Sequence, residues 1–313
     1  MIKMNKKTKI LLVGCGHWGK NILRDLKNLG CEVIVASDSE TGNQNAKDGK
    51  ADLIIRSISE VSNIDGAVVA VNTANHYRVI NEILAIHGSS LPVFCEKPLC
   101  NNVDEAFELA QKAPHNLFMM DKWRYHNGIL ELTKLAKEEK FGKVKGIKLS
   151  RNGWGVPHKD VNCIWILLPH DLTITLEILG YIPEAKFAQI DKTQNGIHGM
   201  TGWLSNPEYW VSFEISERFL GYKREIIVYF ENGIAQLTGS YENNIDIFAT
   251  TRSDLNKKPN PQSVKIKNNM PLFTELKSFI NYVNGKESSP KSSAIEGYQV
   301  VKRIQELIDL ANK

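Results

Sequence analysis

Residues 9–38 read KILLVGCGHWGKNILRDLKNLGCEVIVASD, and this stretch decides the fold. A short apolar strand at 10–13 runs into Gly14-x-Gly16-x-x-Gly19. A helix follows with Ile22, Leu23, Leu26 and Leu29 on one face, and a second apolar strand at 33–35 ends near Asp38. The pattern is that of a dinucleotide-binding βαβ unit. Gly14 permits the tight turn, Gly16 lets backbone approach a pyrophosphate, and Gly19 lets helix and strand pack closely. The helix start, with His17 and Trp18 in the loop before it, turns backbone N–H groups and a positive dipole end toward phosphate.

Asp38 decides between the nicotinamide cofactors. A carboxylate at the end of the second strand accepts hydrogen bonds from ribose hydroxyls and repels a 2′-phosphate. No Arg occurs in the next five residues, Ser39 to Asn43, so the expected cofactor is NAD rather than NADP. A flavin also suits a βαβ unit, but nothing further in the chain supports one.

The 313 residues are 42% hydrophobic and 24% charged, an ordinary globular composition long enough for two domains. A net charge of +4 with scattered lysines argues against nucleic acid as a partner. The basic start (Lys3, Lys6, Lys7, Lys9) lacks the apolar segment of a signal peptide, and no apolar run approaches membrane-spanning length. The five cysteines form neither a CxxC pair nor a disulfide framework, so reduced thiols, a cytoplasmic location and no metal site are expected.

The first third alternates strand and helix: strands at 53–55, 66–71, 92–95 and 117–120, helices at 77–86 and 103–112. That alternation predicts a doubly wound parallel sheet over 1–122. The stretch 39–50 is polar, with weak apolar periodicity. From residue 123 the texture changes. After a helix at 129–140, strands dominate at 144–151, 187–191, 210–215, 225–230 and 234–237, with Asn232-Gly233 as a hairpin turn between the last two. Further strands are expected at 244–250 and 263–266, a loop at 253–262, and closing helices at 272–283 and 294–311. The expected second domain, 123–313, is α+β with a mainly antiparallel sheet. Trp210, Phe213 and Ile215 cannot all face one core, which predicts an exposed apolar sheet face and an oligomer.

Two constellations carry chemistry beyond the glycine loop. Glu96-Lys97-Pro98 directly follows a parallel strand, and a Lys at the C-terminal end of such a strand lies at the cofactor crevice. Pro169-His170-Asp171 is read as the opening of a helix at 172–179, where the positive dipole end favours a neutral imidazole able to act as a base. Alone, Lys97 also reads as a solvated charge and His170 as a structural residue.

In order, GCGHWGKN (14–21), AVNTANH (70–76), EKPL (96–99), WRYH (123–126) and PHDL (169–172) resemble the glucose–fructose oxidoreductase / myo-inositol dehydrogenase (Gfo/Idh/MocA) family over nearly the whole chain. The Gly-His-Trp-Gly loop and the PHDL segment look most like the branch that oxidises nucleotide-linked sugars at C3, such as UDP-N-acetylglucosamine-type dehydrogenases of cell-surface polysaccharide synthesis. The resemblance implies that Lys97 binds the reacting oxygen and His170 moves its proton. Asn72, Thr73 and His76 would line the nicotinamide side, with Glu96 near its ribose. Arg124 and Tyr125 would fall where the domains meet, and Trp154, His158 and Asp160 would reach substrate. It also implies a homodimer or homotetramer and a ketosugar product passed to an aminotransferase. One departure stands out: many members carry Asp four residues before the His, and here that position is Ile166. Three readings follow: an NAD-dependent sugar dehydrogenase, a keto-sugar or carbonyl reductase using the same site in reverse, and a non-catalytic NAD-binding sensor.

Overall fold

The computed structural model describes residues 7–156, 160–239, 242–250 and 260–313. In chain order the first part comprises β1 (Lys9–Val13), α1 (Gly19–Asn28), β2 (Glu32–Ala36), α2 (Glu40–Asp48), β3 (Leu53–Ile55), β4 (Gly66–Val69), α3 (His76–His87), β5 (Val93–Cys95), α4 (Val103–Lys112) and β6 (Leu117–Met119). Then come α5 (Asn127–Lys137), β7 (Val144–Trp154), α6 (Cys163–Leu179), β8 (Glu184–Thr193), β9 (Gly196–Ser205), β10 (Trp210–Ser216), β11 (Arg218–Phe230), β12 (Gly233–Leu237), β13 (Asn244–Ala249) and β14 (Gln262–Lys265). Two helices close the chain, α7 (Pro271–Val283) and α8 (Ala294–Ala311). The fold is α/β, with one parallel and one mainly antiparallel sheet.

Six parallel strands lie in the order β3-β2-β1-β4-β5-β6. The order reverses between β1 and β4, and the crevice at such a switch point, outside the carboxyl ends of the strands, is where nucleotides bind. The strands are apolar runs because helices cover both faces; Ile10, Leu11, Leu12, Ala67, Val68 and Val69 have no exposure.

The chain forms two compact units. The described residues up to Lys122 join Met270–Val301, and Trp123–Asn269 joins Lys302–Lys313. The expected second domain of 123–313 therefore loses 270–301 to the nucleotide-binding unit. The reason is apolar packing: Leu276, Phe279 and Ile280 of α7 belong to the core of Ile10, Val33, Phe94 and Phe118. Phe279 stacks on Phe94 with ring centroids 4.9 Å apart. The backbone near the start of α8 is tied in as well, Met119 N donating to Ser292 O at 2.8 Å.

The second unit holds eight strands in the order β14-β13-β12-β11-β7-β10-β9-β8, antiparallel except for the β7–β10 pair. Ile147, Leu149, Val211, Phe213 and Ile215 are buried on one face, the one that packs against helix. On the other face Trp203 stacks on Trp210 at 5.1 Å and 12°, and Trp210 meets Tyr229 at 5.1 Å. Gly146 makes room for this row, since a Cβ there would lie 2.1 Å from the Trp210 ring.

Helix α6 corrects one expectation. It starts at Cys163, where the Asn162 side chain accepts from Ile164 N, and Pro169 lies inside it. His170 is thus mid-helix, not at a helix start, and the dipole argument for its neutral form falls away. Among the described residues no helix is long and apolar enough to cross a membrane, and no group of His, Cys, Asp and Glu is placed to hold a metal. The five cysteines are buried and unbridged. Burial pushes the Cys15 and Cys31 thiols up to about 11 and those of Cys100 and Cys163 up to about 12.

Candidate nucleotide and substrate sites

The glycine loop follows from backbone geometry. Gly14 has φ +91°, and a Cβ there would sit 2.6 Å from Ala70 O, so only glycine fits. A Cβ on Gly19 would meet Gly14 O at 2.3 Å, the close helix–strand packing expected of the third glycine. At Gly16 the same construction meets nothing within 4 Å, which leaves the open approach a pyrophosphate needs. Helix α1 then begins at Gly19 with no side-chain cap from Trp18 and no acid in its first turn. Its positive end is left for an anion.

A cleft of about 380 Å³ runs along this edge, lined by Gly14, Gly16, Asp38, Ser39, Val71 and Asn72 among others. Asp38 is exposed just beyond β2, where a ribose would be read. These features fit NAD: a glycine cradle for the pyrophosphate, a carboxylate for the ribose and room between them. Arg56 and Arg78 line the same cleft. Neither follows Asp38 closely in the chain: Arg56 lies just past β3 and Arg78 in α3, so proximity in sequence gives no sign of them. The exposed His17 and half-buried Trp18 pack edge-to-face at 6.0 Å, and Lys122 Nζ stands 4.7 Å over the Trp18 ring.

The Glu96-Lys97 segment leaves the end of β5, with Glu96 N donating to Val69 O at 2.8 Å. Lys97 is 8% exposed, and its backbone N donates to Glu96 Oε2 at 3.2 Å. Lys97 is therefore no solvated surface charge. Burial pushes the Glu96 carboxyl up, while Lys97 and Lys122 pull it down. Thr73 and His76 are buried. The His76 ring lies between Pro98 O (Nδ1, 2.8 Å) and Val71 O (Nε2, 3.1 Å). His76 thus clamps the segment after β4 to the one carrying Lys97, a supporting position rather than a lining one.

In the second unit, Trp123, Arg124, Tyr125 and His126 are all buried. Arg124 Nε donates to Glu177 Oε2 of α6 at 2.9 Å, and Asn269 Nδ2 donates to Tyr125 O at 2.7 Å. Half-buried His170 packs edge-to-face on Trp123, with centroids 6.4 Å apart. Arg151 of β7 stands 4.9 Å over the same ring and grips Asp171 through Nε at 2.8 Å and Nη2 at 2.7 Å. Asp171 is thus the anion of a buried ion pair. Ile166, one turn before His170, is 2% exposed. Arg224 adds a second guanidinium, donating to Asn152 O at 2.7 Å; burial and the neighbouring Arg151 hold it below the ordinary arginine range. Trp154 is 71% exposed at the end of β7, and Asp160 is half-buried. His158 lies outside the described residues. Arg151 was missed, although alternation in β7 (Ile147, Leu149, Arg151) points it inward.

The family model described as "Oxidoreductase family, NAD-binding Rossmann fold" (GFO_IDH_MocA) matches residues 8–119. No curated protein matches the chain by sequence. Among solved structures, UDP-N-acetylglucosamine 3-dehydrogenase GnnA from Acidithiobacillus ferrooxidans is similar at 17% identity and TM-score 0.81, over 98% of each chain. A levoglucosan dehydrogenase solved with NADH and levoglucosan is 12% identical with TM-score 0.83, over 98% of each chain. An oxidoreductase from Agrobacterium radiobacter, solved with NAD+, L-tartaric acid and magnesium, is 13% identical with TM-score 0.83, over 98% of this chain and 97% of that one. These likenesses establish a shared fold along the chain. Over residues 8–119 the chain is similar to the Gfo/Idh/MocA family of NAD-binding oxidoreductases.

Proposed function

We propose that this protein is an NAD-dependent dehydrogenase of a sugar hydroxyl, acting at C3 of a nucleotide-linked sugar. The observation that carries the reading is Lys97, a buried ammonium at the carboxyl end of β5 in the unit that holds the nucleotide cleft. NAD, when bound, supplies the hydride acceptor. Lys97 binds the reacting oxygen and orients it. His170, held against Trp123, takes the hydroxyl proton as oxygen becomes carbonyl. Arg124 and Tyr125 are the substrate contacts of this reading, and the product is a ketosugar of the kind an aminotransferase consumes.

Nucleotide-linked sugar fits the likeness to the UDP-N-acetylglucosamine 3-dehydrogenase, whose substrate belongs to that class. The test is a panel of nucleotide sugars incubated with NAD. Appearance of NADH absorbance with loss of two hydrogens from the sugar supports the reading. NAD binding without turnover across the panel turns it toward a sensor. The feature favouring that second reading is Ile166, which places no carboxylate one turn before His170.

We also propose a homo-oligomer built on the open sheet face, where Phe187 is 56% and Trp203 39% exposed beside Trp210 and Tyr229. A monomer by size-exclusion chromatography would contradict this.

A further inference from the structure

Strands β7 and β11 set two arginines directly opposite each other. Their antiparallel register pairs Arg224 with Arg151, Ile226 with Leu149 and Val228 with Ile147. Paired residues of such a ladder share a face, with Cβ atoms roughly 4.5–5.5 Å apart, and like charges so placed repel. Arg151 is 4% exposed and Arg224 is half-buried, so water screens that repulsion poorly.

The two guanidinium groups are not compensated alike. Arg151 commits Nε and Nη2 to one oxygen of Asp171. Arg224 makes no ion pair among the described residues. Its Nη1 donates to Asn152 O at 2.7 Å and to Lys223 O at 2.9 Å, and its guanidinium stands 4.4 Å over the Tyr222 ring. The acid next to it in the chain is engaged elsewhere: Glu225 Oε2 meets Lys223 Nζ at 3.1 Å, and Oε1 accepts from Gln236 Nε2 at 3.0 Å.

Both arginines line one small cavity, together with Trp123, Ser150 and Asp171 among others. Its volume is about 10 Å³, room for one oxygen-sized atom. Ser150 is 3% exposed, and its hydroxyl has no hydrogen-bond partner among the described residues. A buried hydroxyl left without a partner is costly and uncommon. The cavity therefore offers two guanidinium groups and a hydroxyl, all of them donors. It also adjoins the ring that carries His170: the Arg151 guanidinium is 4.9 Å from the Trp123 centroid, and the His170 ring is 6.4 Å from the same centroid.

We propose that Arg224, with Arg151 and Ser150, forms a carboxylate-binding subsite, so that the substrate is an acidic sugar, one whose ring bears a carboxylate as well as the hydroxyl to be oxidised. The planar fork of a guanidinium matches a carboxylate. The cavity takes one oxygen of that group and has no room for a phosphoryl tetrahedron. The incoming negative charge gives Arg224 the anion it lacks and relieves the repulsion across the ladder. The inference rests on the dehydrogenase reading for the place of the sugar beside His170.

The test reads binding without turnover. Protein loaded with NADH is titrated calorimetrically with two pairs of probes: methyl β-D-glucuronide against methyl β-D-glucoside, and UDP-N-acetylglucosaminuronate against UDP-N-acetylglucosamine. In wild type the acidic member of each pair should bind about tenfold more tightly or better. Arg224→Met should bind the two members of a pair alike, and Arg224→Lys should keep part of the preference. Ser150→Ala removes a donor but no charge and should reduce the preference. UDP alone reports on the diphosphate, and its affinity should be the same in wild type and Arg224→Met. Equal affinity within both pairs in wild type would overturn the proposal, as would a preference that survives Arg224→Met. A loss of UDP affinity in Arg224→Met as large as the loss for the acidic sugar would overturn it too, by assigning the arginine to the diphosphate. Oxidation of nucleotide sugars with no acidic preference in binding would overturn this inference and leave the dehydrogenase standing. A preference that Arg224→Met abolishes, in a protein that transfers no hydride, would uphold the subsite and overturn the dehydrogenase reading instead.

Discussion

The two units build their sites from different materials. In the nucleotide-binding unit the cradle is backbone: a positive-φ glycine, an open glycine and a helix start without a side-chain cap. In the second unit the surroundings of His170 are side chains: the Arg151–Asp171 and Arg124–Glu177 ion pairs and the Trp123 ring between Arg151 and His170. Backbone sites tolerate variation wherever a Cβ has room and none where it has not. Ion-pair sites depend on both partners, because a buried charge left alone costs more than the pair contributes.

Lys97 breaks this division, and its removal should have the largest effect. Lys97→Ala is expected to lower turnover by about 10²–10⁴-fold while NAD still binds, read by steady-state kinetics beside calorimetric titration with NAD. Near-normal turnover would sink its role. Second in size is Arg151→Ala. It removes the guanidinium that grips Asp171, whose side chain is 2% exposed, and should cost about 3–5 kcal/mol in urea unfolding. Replacing both partners, Arg151→Met with Asp171→Leu, should recover most of that loss, and failure to recover it would show that the pair has partners that matter more. Gly14→Ala comes next. The strained φ and the 2.6 Å approach to Ala70 O predict a loss of about 2 kcal/mol or more, with weakened NAD binding in the same protein. The smallest effect is at Ser39, whose Oγ caps α2 by accepting from Gly42 N at 3.0 Å. Ser39→Ala should cost about 1 kcal/mol by thermal unfolding.

The same contrast explains what could be read from the chain. The βαβ unit was legible because each glycine there has a backbone reason that leaves a motif. Buried parallel strands such as β4 were legible because both faces are covered. Strand β9 was not expected at all, and its Gly196, Gly199 and Gly202 weaken the strand pattern. In the fold two of these glycines mark close approach: a Cβ at Gly202 would lie 2.4 Å from the Phe213 ring, and one at Gly199 2.5 Å from Ile215 O. Helix α2 was hidden because it buries only Gly42 and Ala46. His170 was misplaced because Pro169 resembles a first-turn proline, whereas the apolar run from Cys163 already belongs to the helix.

The most direct test of the dehydrogenase account is isotope transfer. UDP-N-acetylglucosamine carrying deuterium at C3 is incubated with NAD and wild-type protein, and the nicotinamide product is examined by mass spectrometry. The account predicts deuterium on the reduced nicotinamide, a 3-keto sugar beside it, and loss of both in Lys97→Ala. Tight NAD binding with no deuterium transferred, from this sugar or from other C3-labelled nucleotide sugars, would contradict it.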